Sequence, residues 1–133
     1  MSLIKNAVIR WATKTVPDIL ALYVFGSRAQ GTCDSTSDWD FALLVPGYCQ
    51  PLQLWEWSDQ LADIVQAPVD LLDFRAASTV MQYEILTTGE RWWAQGAVAD
   101  LYECAVLSDK LDLDEQRAAL LDDIEREGRI YAR

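Results

Sequence analysis

Two apolar runs separated by a short polar segment constrain the fold of this chain more than any other feature. Residues 20–25, LALYVF, are an unbroken apolar run rich in strand formers and stopped by Gly26. Residues 38–45, DWDFALLV, alternate and then run apolar up to Pro46-Gly47. Runs of this kind read as buried strands. The segment between them, GSRAQGTCDSTS at 26–37, carries turn chemistry at Gly31 and Asp34 and reads as a loop instead of a crossover helix. The two strands are therefore not tied to a parallel arrangement, and a mixed sheet is expected.

The rest of the chain supplies cover for that sheet. Ile4, Ala7, Val8 and Trp11 recur at helical spacing over residues 3–16, and Pro17 closes the run. Pro51 opens a second helix through Val65, with Leu52, Trp55, Leu61 and Ile64 expected along its inner side. PVDLLDF, residues 68–74, makes a third strand. Ser78 is placed to cap a helix over VMQYEILTT that Gly89 ends, and ERWWAQ is a short fourth strand. From Val98 the pattern is helical, with Val98, Leu101, Tyr102 and Ala105 on one face and Asp114 as cap of a closing helix. The order α-β-β-α-β-α-(β)-α predicts an α/β (α+β) fold, a mixed sheet of three to four strands with flanking helices. With 133 residues and no repeat or linker, one domain over 1–133 is expected, its core at about 20–74 and a helical region at about 97–133.

Composition narrows the chemistry. Histidine is absent, which excludes imidazole-based triads and most transition-metal sites and leaves carboxylates and hard cations. The net charge of −10 repels phosphate backbones, so no direct nucleic-acid binding is expected. Between Lys14 and Lys110 the only basic residues are Arg28, Arg75 and Arg91. No apolar run reaches the ~20 residues of a membrane span, and the N-terminus lacks the pattern of a secretory signal, so a cytoplasmic protein is expected. Cys33, Cys49 and Cys104 are widely spaced and odd in number, which reads as three reduced thiols. The tryptophans, Trp39 among them, read as packing residues.

Chemistry concentrates in Gly26 to Asp40. The first strand delivers the chain to Gly26-Ser27, where backbone without a side chain can approach a ligand closely. Asp38 and Asp40 are two apart in the second strand and so project on one face. At ~4 Å and an effective dielectric of ~20, two such carboxylates repel by ~4 kcal/mol before screening. A divalent cation is the natural counter-charge, and Mg²⁺ is held by one or two carboxylates plus substrate phosphates. Two such ions would stabilise the attacking and leaving oxygens of an in-line displacement. The third strand offers Asp70 and Asp73, on opposite faces. Asp70 is chosen as the third ligand because it sits inside an apolar run where a carboxylate without a partner is costly, whereas Asp73 is expected near solvent. Arg28 is the candidate cation beside the phosphates, and Arg75 reads as structural.

Gly26-Ser27, ten intervening residues and Asp38-Trp39-Asp40 resemble the signature of the polymerase-beta-like nucleotidyltransferase superfamily, over roughly residues 20–74. The resemblance implies that Gly26 and Ser27 contact a triphosphate, that Asp38, Asp40 and Asp70 bind the metals, and that Asp70 helps orient or deprotonate the attacking hydroxyl. The whole chain, through STVMQYEILTTGERWWAQ and AALLDDIEREGRIYAR, also resembles the MntA antitoxins of HEPN/MNT toxin–antitoxin pairs. That resemblance implies transfer of AMP from ATP, with Mg²⁺, to a tyrosine of a HEPN RNase toxin. Two alternatives stay open on the residues alone: an adenylyltransferase acting on a small molecule such as an antibiotic, and an antitoxin that acts by binding without catalysis.

Overall fold

The computed structural model describes residues 2–26 and 38–131. Helix α1 (Ser2–Thr15) leads into β1 (Ala21–Phe25); β2 (Trp39–Leu44), α2 (Pro51–Val65) and β3 (Val69–Asp73) follow. A single 3-10 turn (Phe74–Ala76), α3 (Thr79–Thr88), β4 (Glu90–Ala94) and α4 (Val98–Tyr131) complete the chain. The four strands form one sheet in the order β3-β2-β1-β4. β1 is antiparallel to both β2 and β4, and β2 is parallel to β3. The sheet is mixed, as the polar segment after Gly26 predicts. The parallel pair is joined through α2, the crossover that parallel neighbours require.

Alternation along the strands divides the core in two. Leu22, Val24, Trp39, Phe41, Leu43 and Leu71 face α1 and α2, meeting Val8, Ala12, Trp57, Leu61 and Val65. Ala21, Tyr23, Ala42 and Leu44 face the other way, meeting Phe74, Ile85, Ala99 and Val106. Trp39 is buried on the first side, stacked on Phe41 and edge-on to Trp92, so its indole points away from its aspartate neighbours.

Local signals account for the element ends. Ser78 caps α3 by accepting from the Met81 N–H, and the Gly89 N–H returns to the Ile85 carbonyl. Pro51 sits in the first turn of α2, and Gln66 ends that helix in the left-handed region. Two expected faces are corrected. Leu52 is 63% and Trp55 68% exposed; the inner side of α2 is Trp57, Leu61 and Val65, with Leu54 and Ile64 half-buried. At 100° per residue Leu52 and Leu61 stand about 180° apart, so they cannot share a face. In α4, Ala99, Tyr102 and Val106 pack inward while Val98, Leu101 and Ala105 are exposed. Asp114 caps nothing: α4 is one continuous helix, and the Asp114 carboxylate accepts from Lys110 Nζ one turn back, at 2.7 Å.

Candidate active site

The sheet brings two of the predicted acids into direct register. Asp40 in β2 and Asp70 in β3 are paired residues of the parallel ladder, and Phe25 is the partner of Asp40 on β1. Paired residues share a face, so both carboxylates lie on the side of Ala42 and Leu72, at the edge of the core under α3 and α4. Asp38, one residue before β2, is exposed. The Trp39 N–H donates to the Pro68 carbonyl at 2.9 Å, which levels the starts of β2 and β3 and sets Asp38 and Asp40 beside Asp70.

The electrostatics follow. Burial raises the pKa of the half-buried Asp40 carboxyl, and the negative charges of Asp70 and then Asp38 raise it further. Ionising this acid is opposed by its surroundings, and a cation among its oxygens would reverse that. Among the described residues no three acidic or cysteine side chains converge as a closed ligand set. The donor chemistry nonetheless suits a hard divalent ion: oxygen ligands only, from carboxylates whose mutual repulsion one cation would relieve.

Gly26 plays a part the sequence did not show. It ends β1 at φ +77°, and a Cβ on it would stand 2.2 Å from Asp40 Oδ2. The close approach that demands glycine here is made by a carboxylate of the protein itself. Ser27, Arg28 and Cys33 lie outside the described residues.

The reason given for Asp70 is reversed in the structure. Asp70 is exposed, whereas Asp73 is only 5% exposed. Asp73 accepts from the Cys49 N–H at 2.8 Å and the Arg75 N–H at 3.2 Å, capping the 3-10 turn. Asp73 belongs to the opposite sheet face from Asp40; Asp70 remains the acid beside it. Arg75 is structural: its guanidinium lies over the Tyr48 and Tyr102 rings and donates to the Pro46 carbonyl. Gly89 was expected only as a helix stop. It also seats α3 against the end of β1, where a Cβ would meet the Val24 carbonyl oxygen at 2.6 Å; no sequence signal marks that approach.

A family model described as polymerase beta, nucleotidyltransferase, matches residues 7–95, from α1 to the end of β4. The chain belongs to that nucleotidyltransferase family. Within it, the protein adenylyltransferase MntA of Shewanella oneidensis is 32% identical over 120 residues, 90% of this chain and 86% of the relative. A crystal structure of a toxin–antitoxin with AMP-PNP superposes with a TM-score of 0.80 at 31% identity, covering 91% of this chain and 98% of that one. A re-refined structure of a tri-AMPylated Shewanella oneidensis HEPN toxin in complex with MNT antitoxin gives 0.76 at 28% identity, covering 93% and 98%. The family's match begins before the expected core and ends beyond it, so α1 and β4 are part of the common framework. Among the described residues no helix is long and apolar enough to cross a membrane.

Proposed function

We propose that this chain is an antitoxin enzyme that transfers AMP from ATP to a tyrosine hydroxyl of a cognate HEPN RNase toxin and so silences it. The observation that carries the reading is the register of Asp40 with Asp70, two like charges on adjacent strands with Asp38 beside them and Gly26 packed on the Asp40 carboxylate. The similarity along 90% of the chain to a protein adenylyltransferase supports the acceptor. A structural relative solved with AMP-PNP supports the nucleotide.

Asp38, Asp40 and Asp70 would hold Mg²⁺, which supplies counter-charge to the triphosphate. Gly26 and Ser27 receive the phosphates on backbone N–H groups, with Arg28 as the cation beside them. The tyrosine oxygen forms a bond to the α-phosphorus as the bond from that phosphorus to the bridging oxygen breaks, and pyrophosphate leaves. Asp70, exposed at the start of β3, orients the hydroxyl and accepts its proton. Catalysis on this reading is positioning and charge neutralisation.

Intact-mass measurement of the purified pair with ATP and Mg²⁺ tests the proposal. Toxin mass rising by whole AMP units supports transfer, and the Asp38→Asn variant is expected to leave the mass unchanged. An inhibited toxin of unaltered mass would sink the enzymatic reading.

A further inference from the structure

The first half of α4 is apolar on two sides. Ala99, Tyr102 and Val106 pack into the core. Leu101, Cys104, Leu107 and Leu111 recur at spacings of three, three and four, a strip within about 120° of arc on the opposite side at 100° per residue. Leu101 is 70% and Leu111 65% exposed, and Cys104 is an exposed free thiol. A helix lying on a domain needs one apolar stripe; a second, left in water, marks a surface that another molecule covers.

Charge says what kind. Asp100, Asp112, Asp114 and Glu115 border the strip, and the one lysine of residues 98–115, Lys110, is held by Asp114. Arg91, on β4, is taken by Asp100 and Glu103. A second copy of this chain would set acids against acids. A patch with an apolar centre and a lysine or arginine rim fits.

Position says which partner. Asp40 and Asp70 lie on the sheet face that α3 and α4 cover. Another exposed pair, Leu52 and Trp55, belongs to α2 on the far face, so a protein docked there would have the sheet between itself and the carboxylates. We infer that the strip Leu101–Cys104–Leu107–Leu111 is the surface on which the acceptor protein docks, an inference that rests on the proposed transfer to a HEPN toxin.

The test uses the full chain and its cognate HEPN toxin. In a C33S/C49S background, saturating toxin is expected to slow alkylation of Cys104 by N-ethylmaleimide at least tenfold. By calorimetric titration, L101D/L111D is expected to weaken toxin binding about 30-fold or more. L52D/W55D is expected to bind within a factor of about three of the parent. Binding of a fluorescent ATP analogue, unchanged in L101D/L111D, reports that its fold is intact. Cys104 alkylated as fast in the complex as in the free chain would overturn the inference. So would undiminished toxin binding by L101D/L111D, or a self-association that this variant abolishes. Failure of the transfer reading would look different: a wild-type complex that protects Cys104 but leaves the toxin's mass unchanged with ATP and Mg²⁺.

Discussion

The Cα of Gly26 faces the Asp40 carboxylate so closely that one added carbon would lie 2.2 Å from Oδ2. The end of β1 and the start of β2 are thus fitted to each other at the acid that β3 also touches through Asp70. Gly26→Ala meets two obstacles: the φ of +77°, which costs an L-residue about 1 kcal/mol, and the overlap with Asp40. The carboxylate must rotate away. We expect transfer to fall about 100-fold or more, since displacement of a reacting group by about 1 Å is enough for that, with only a small drop in melting temperature. Quantitative mass spectrometry of the toxin, together with a thermal melt, checks both.

Asp40 makes stability depend on pH and on metal. Its folded-state pKa is raised by burial, Asp70 and Asp38, so the native state holds this proton to higher pH than the unfolded chain does. Stability from this group is complete below the ordinary carboxylate pKa and is lost as pH rises through the raised value. Without metal, Asp40→Asn should therefore melt higher than the parent at pH 7, and the difference should vanish near pH 3. Mg²⁺ should raise the parent's melting temperature and leave that of the variant nearly unchanged. A parent that melts higher than Asp40→Asn in chelator at pH 7 contradicts the account.

Gly89 is needed for space instead of for φ. A Cβ there would meet two backbone oxygens, Ile85 O at 2.5 Å and Val24 O at 2.6 Å, neither of which can rotate aside. Gly89→Ala has to lift the end of α3 off β1, and overpacking of this kind costs about 1–3 kcal/mol. Urea unfolding should show that loss.

Sequence pattern reached the framework because single residues mark it. The run at 20–25, Pro51, Ser78 and Gly89 each set an element boundary through one local preference, and each boundary is where those preferences put it. The helix faces were harder. Leu52 and Trp55 are apolar and follow a proline, and only their angular distance from Leu61 shows that they point outward. Alternation from Asp38 to Asp40 put both on one face, but the partner of Asp40 depends on the register of β2 with β3, set by the Trp39 N–H to Pro68 carbonyl bond. No residue type announces that bond. The same blindness reversed the environments of Asp70 and Asp73: an apolar run implies burial of its middle, yet the backbone donors of Cys49 and Arg75 converge on its end.

That reversal separates two acids three residues apart by what each does. Asp73 is 5% exposed and satisfies two backbone N–H groups, from Cys49 and Arg75. Asp73→Ala strands both donors in a buried setting, which costs about 2–4 kcal/mol for the pair. The protein that still folds should transfer AMP at close to the parent rate, because Asp73 faces away from Asp40. Asp70→Asn is expected to do the opposite. It removes one of the charges that raise the Asp40 pKa, so stability in chelator holds or rises while transfer fails. Chemical denaturation and toxin mass, measured on both variants, give four numbers. Asp73→Ala inactive per folded molecule, or Asp70→Asn as active as the parent, would reassign the third acid of the site.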